Sequence, residues 1–158
     1  MIIHYRPLIL VALLAVLPGL VGAGCHSTAP SRPDVDSLAF IEVRGHSSVE
    51  TARVLSEVFR EAGYMPVAQS PTKSMSLVFE RPGTTTESVF YGDWSGKVWY
   101  RVKIKIETPD ADLNLVKCDT YRIVGHGDPR FEEETKVSFG KGKYQELLDR
   151  AQARLAGR

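Results

Sequence analysis

Between Val98 and Glu107 apolar and polar residues alternate without a break. Val98, Tyr100, Val102, Ile104 and Ile106 form one set, and Trp99, Arg101, Lys103, Lys105 and Glu107 the other. A period of two belongs to an extended strand, whose successive side chains leave by opposite faces. The chain must therefore build a sheet with one dry and one wet face. Ser95-Gly96, just before this run, suits a two-residue hairpin turn. Such a turn pairs Tyr91 with Tyr100 and Val89 with Val102, keeps the dry face dry on both strands, and sets Trp99 over the backbone of Gly92. The wet face of that hairpin gathers Phe90, Trp94, Lys97, Trp99, Arg101, Lys103 and Lys105.

The other elements fall around this strand. Leu38–Arg44 is a β-rich run ended by Gly45, and Ser47 with Glu50 has the spacing of a helix-capping box. Val49, Ala52, Leu55, Val58, Phe59 and Ala62 then recur at helical spacing up to Gly63, with Arg53 and Glu57 placed to pair on the wet side. Met65–Gln69 reads as a short strand and Met75–Glu80 as a better one, closed by Pro82-Gly83. After a turn at Pro109-Asp110, Leu115–Val124 is a strand of undetermined facing, because Lys117 and Asp119 share a parity with Leu115, Tyr121 and Ile123. Residues 131–139 are open between strand and irregular. Tyr144, Leu147, Leu148, Ala151 and Leu155 make one helical stripe. The expected fold is α+β, in the order β-α-β-β-β-β-(β)-α, a mainly antiparallel sheet with two helices on one face.

The N-terminus has a different character. One cation, Arg6, precedes an apolar run from Leu8 to Leu17, and Pro18-Gly19 leads into small residues before Cys25. Ten helical residues rise only ~15 Å, half a hydrocarbon core, so the run fits a signal peptide better than a span. Leu20-Val-Gly-Ala-Gly-Cys25 resembles the lipobox of bacterial lipoproteins, departing from it at Gly22. That resemblance implies removal of residues 1–24 and acylation of Cys25, while Val21 and Ala23 also suit ordinary cleavage after Ala23. His26 in the next position is similar to the residues that sort Gram-negative lipoproteins to the outer membrane, facing the periplasm. Several acyl chains make a stable anchor where one is marginal. Residues 25–37, polar and with two prolines, read as a tether, and 38–158 as one domain.

Losing Arg6 lowers Lys plus Arg from 20 to 19, equal to the 19 Asp plus Glu. A balanced, exported chain is no partner for nucleic acid. With Cys25 acylated, Cys118 has no partner and reads as a small buried side chain. On one extended strand Cys118 and His126 lie ~26 Å apart, too far for a nucleophile and its base. His46 and His126 lack any second ligand at metal spacing, so neither metal nor cofactor is expected. Glu132, Glu133 and Glu134 alternate in facing and read as a solvated run. Gly140-Lys-Gly-Lys143 departs from phosphate-loop spacing and reads as a helix start.

Ile41–Gly45, Glu57–Phe59, Gly63-Tyr64 and Leu77–Arg81 are similar to stretches of small bacterial lipoproteins of no known activity. The architecture is broadly similar to that of envelope-assembly lipoproteins, a likeness of fold alone. The expectation is a non-enzymatic envelope lipoprotein that binds an envelope protein or an anionic glycolipid through its aromatic and basic face. The alternatives are a cell-wall or lipid hydrolase, for which no convergent acid, base and nucleophile is legible, and a purely structural envelope domain.

Overall fold

A computed structural model describes residues 36–68, 75–91 and 97–157, without the side chains of 90 and 91. Cys25, the expected signal peptide and most of the expected tether lie outside the described residues, as do Gln69, Gly92, Trp94 and Ser95-Gly96. The elements are β1 (Ala39–Arg44), α1 (Ser48–Glu61), β2 (Met65–Pro66), β3 (Met75–Pro82), α2 (Thr85–Tyr91), β4 (Trp99–Asp110), β5 (Leu113–Val124), β6 (Glu133–Lys136) and α3 (Lys141–Ala156). The fold is α+β, as the alternation and the two helical stripes imply. The sheet runs β1-β5-β4-β3-β2, and β6 pairs with the far half of β5. The pairings between these strands are antiparallel.

β1 and β2 are consecutive strands at opposite edges, so α1 must cross the whole sheet. Five strands at ~4.8 Å span about 19 Å, and fourteen helical residues rise about 21 Å. The helix length thus matches the width it bridges. Ser47 caps α1 by accepting from the Glu50 amide at 3.1 Å, while the Glu50 carboxylate turns to His46 Nδ1, also at 3.1 Å. The buried side is Thr51, Ala52, Val54, Leu55, Val58 and Phe59. Val49, expected on that stripe, is two-thirds exposed because it lies in the first turn, ahead of the sheet. α3 buries Tyr144, Leu147, Leu148, Ala151 and Leu155, the full expected stripe, against β1 and α1.

The dry face of β4 is dry as expected. Val98, Tyr100, Val102, Ile104 and Ile106 are buried. The expected hairpin does not form. Residues 85–91 are helical, and β4 pairs instead with β3 (Pro82 with Trp99, Phe79 with Val102) and with β5 (Ile104 with Cys118). Thr84 and Glu87 explain this locally. The Glu87 amide donates to Thr84 Oγ1 and the Glu87 carboxylate accepts from the Thr84 amide, a reciprocal capping box that starts α2. The turn between β4 and β5 falls at Ala111-Asp112 rather than Pro109-Asp110, after an irregular register between Glu107 and Asp110. Pro109 lacks an amide proton and so disturbs the ladder without ending the strand. The facing of β5 is now settled: Asn114, Val116, Cys118 and Thr120 are buried on the helix side, and Lys117, Asp119 and Tyr121 share the other face with Lys105, Lys103 and Arg101.

The β1 edge is closed by glutamines of α3. Gln145 accepts from the Phe40 amide at 3.3 Å and donates to the Phe40 carbonyl at 3.0 Å, and Gln152 donates to the Glu42 carbonyl at 2.6 Å. These side chains occupy backbone groups that would otherwise template another strand. Replacing both by leucine should lose about 2 kcal/mol in urea denaturation. It should also produce concentration-dependent association in sedimentation; a monomeric, equally stable variant would contradict this role.

Candidate functional site

α1 and α3 pack on one face of the sheet, and among the described residues neither reaches the second face, along whose middle β4 runs. Lys103, Arg101 and Trp99 are half-buried there and Lys105 is exposed. These four of the seven expected site residues come together. Lys97 is exposed just before the strand, Phe90 belongs to α2 and not to a neighbouring strand, and Trp94 is outside the described residues.

The cations of this face are bonded to acids. Arg101 Nε donates to Glu80 Oε1 on β3 at 2.6 Å, and its Nη1 meets the carboxylates of Glu132, at 2.9 Å, and Glu134. Lys103 Nζ donates to Glu134 at 2.6 Å and lies 4.4 Å from the centre of the Tyr121 ring. Lys105 and Lys117 share Glu107, each at 2.7 Å, and Lys136 pairs with Asp119 at 3.2 Å. A concavity of about 430 Å³ beside this row is lined by Ser76, Val78, Lys103, Lys105, Lys117 and Asp119. The chain joins the domain at the same place, where Asp119 accepts from the Leu38 amide and Lys136 donates to the Asp36 carbonyl.

At the other end of the face, the loop from β5 to β6 folds back over β4. Gly125 makes this possible, with φ at +69° and with the position of a Cβ only 2.4 Å from the Phe131 carbonyl oxygen, so no side chain fits. Asp128 braces the loop by accepting from the amides of Phe131 and Glu132 at 3.0 and 2.8 Å. His126 is thereby laid flat on Trp99, ring centres 4.0 Å apart and planes 7° from parallel, with Nε2 2.9 Å from Glu80 Oε2. Glu80, 8% exposed, is the hinge of the cluster, one carboxylate oxygen held by Arg101 and the other by His126.

The electrostatics follow from this packing. Burial pushes the Glu80 carboxyl up, but the bonds from His126 and Arg101 outweigh it and hold the group below the usual carboxylate range. Burial also works against Glu134, and Lys103 and Arg101 outweigh it in the same direction. Burial and the neighbouring Asp119 push the Cys118 thiol up, which makes it an inert core group, a free thiol among the described residues.

Sequence reasoning missed Glu80, Glu132 and Glu134 as partners of Arg101, and His126 as a partner of Glu80 and Trp99. The three glutamates are not simply the solvated run expected of them: alternation places the carboxylates of Glu132 and Glu134 on Arg101. The one available signal was Gly125-His-Gly127, since two glycines flanking a histidine mark a tight turn that could aim it. Chemically, the imidazole is oriented by a carboxylate, but among the described residues no hydroxyl or thiol is bonded to it. Among the described residues, no three potential ligands converge as a metal cage requires, and no helix is long and apolar enough to cross a membrane. Neither the scan of protein-family models nor the search of curated proteins finds a match to this chain.

Replacing Arg101 by Met would leave three carboxylates facing one another. At pH 7 it should destabilise the domain by about 2–3 kcal/mol, below a fully buried pair because Arg101 keeps some solvent contact. Glu80 and Glu134 are held below their unfolded range, so their contribution is present above it and lost as they protonate. The gap to wild type should therefore close below about pH 4 in urea denaturation. A gap independent of pH would show that packing, not charge, carries the effect.

Proposed function

We propose that the chain is a non-enzymatic lipoprotein of the cell envelope, held by a lipid on Cys25 at the outer membrane and facing the periplasm. Its uncovered sheet face binds a partner protein as an assembly accessory. The observation that carries this reading is a fixed array of charged and aromatic groups, Trp99, Arg101, Lys103 and Tyr121, on a face the helices leave open. Because Arg101, Lys103, Lys105, Lys117 and Lys136 each have a carboxylate partner, the face offers no net cationic field. That balance favours a protein with mixed polar groups over the anionic glycolipid that the lysines alone suggested. The Asp36–Leu38 junction borders the same face, which keeps a partner close to the anchor.

A photo-crosslinking residue at Lys105, in cells, should give a discrete protein adduct that one at Arg53, on the opposite side of the domain, does not. Equal adduct patterns from both positions would sink the reading. The carboxylate-bound imidazole supports a weaker second reading, a hydrolase using His126 as base. It requires that His126→Gln abolish hydrolysis of isolated cell wall or lipid while the Lys105 adduct persists.

A further inference from the structure

We infer that β6 is the joint of a symmetric pair, in which a second copy of this chain adds its own β6 antiparallel and edge to edge. β6 pairs on one side with β5, and among the described residues no strand pairs with its other side. The Val137 amide donates to the Thr120 carbonyl, and the register sets Lys136 opposite Tyr121. Ladder bonds of an antiparallel pair recur at every second residue, so Glu133 and Thr135 also bond inward. The amides and carbonyls of Glu134 and Lys136 therefore point outward. The α3 glutamines that close β1 bond to Phe40 and Glu42, not to this edge.

Symmetry limits how two such edges meet. Outward groups must face outward groups, so a two-fold axis passes beside Glu134, Thr135 or Lys136. An axis at Glu134 or at Lys136 sets that charge directly against its own copy, a destabilising cross-strand pair. An axis at Thr135 sets Glu134 of each copy against Lys136 of the other, and each such pair exchanges both backbone hydrogen bonds. Both side chains stand on the open face, where Glu134 holds Lys103 and Lys136 holds Asp119. The joint thus extends rows of ion pairs that each copy already has.

The exposed phenylalanines select the same axis. Phe131 and Phe139 are large apolar side chains left 73% and 51% exposed. They lie at equal distances along the chain before and after Thr135. The axis that pairs Glu134 with Lys136 therefore brings Phe131 of one copy toward Phe139 of the other, where the rings gain apolar contact. Opposed side chains leave by the same face, so the open faces of the two copies lie side by side. A partner of the proposed kind then meets a surface of twice the width, although the pairing itself rests only on β6 and its flanks.

Disulfide trapping on the purified full chain, in detergent, tests this and records even a weak pair. Thr135 meets its copy on the axis as a non-hydrogen-bonded pair, with Cα atoms ~4.5 Å apart and within disulfide reach. Thr135→Cys should give a covalent dimer on mild oxidation, and Arg53→Cys, on α1, should not; Cys25 and Cys118 are common to both chains. Adding Lys136→Pro removes an outward amide while sparing the β5 ladder, and should cut the dimer yield by about tenfold or more. Lys136→Glu keeps the amide but opposes like charges, and should cut the yield as well. Dimer from Thr135→Cys no greater than from Arg53→Cys would overturn the pairing, as would a yield that either Lys136 substitution leaves unchanged. Because no partner is present, that failure would leave the binding reading standing, and loss of the Lys105 adduct would leave the pairing standing.

Discussion

One guanidinium ties three parts of the chain together. Arg101 stands on the central strand, and its partners come from β3, from the end of the β5–β6 loop and from β6. Without it, Glu80 would be a buried carboxylate held by a single histidine, a costly arrangement. With it, each acid has a donor, and the loop that carries His126 has a reason to fold back. The open face is therefore organised from its middle outward. On the opposite side the helices pack their apolar stripes onto the dry face of the sheet, through Phe59 and Leu148 against Phe79 and its neighbours, and that core supplies the bulk of the stability.

A cluster of this kind contributes more to uniqueness than to net stability, since an apolar replacement of similar volume can be equally stable. What it adds is geometry. Trp99 and Tyr121 are kept from collapsing onto the sheet at random, one by the His126 stack and the other by the Lys103 ammonium. Fixed rotamers reduce what binding must later immobilise, which is the physical value of a preorganised face. The glutamine cover over β1 complements this by closing an edge where strand addition would compete.

Much of the fold was legible because its signals are local. The period of two in β4, the stripe of α3 and the Ser47 cap each depend on neighbours within a few residues, and each appears where the sequence places it. The hairpin failed for a complementary reason. Val89 and Tyr91 match the parity of β4, but Thr84 and Glu87 begin a helix there, and β4 found its neighbours in β3 and β5 instead. The half of the site on β4 was visible as an aromatic and basic stripe. The acids that neutralise Arg101 and Lys103 come from residues 21 to 33 positions away, and pairing at that distance leaves no periodic trace.

The β5–β6 loop lies folded on β4 through the His126–Trp99 stack and Arg101. Nuclear Overhauser contacts of the Trp99 indole measure this directly. Cross-peaks are expected from the indole to the His126 ring protons, together with contacts between the Arg101 and Glu80 side chains. An indole that instead contacts Gly92, with no cross-peak to His126, would contradict it and restore the hairpin.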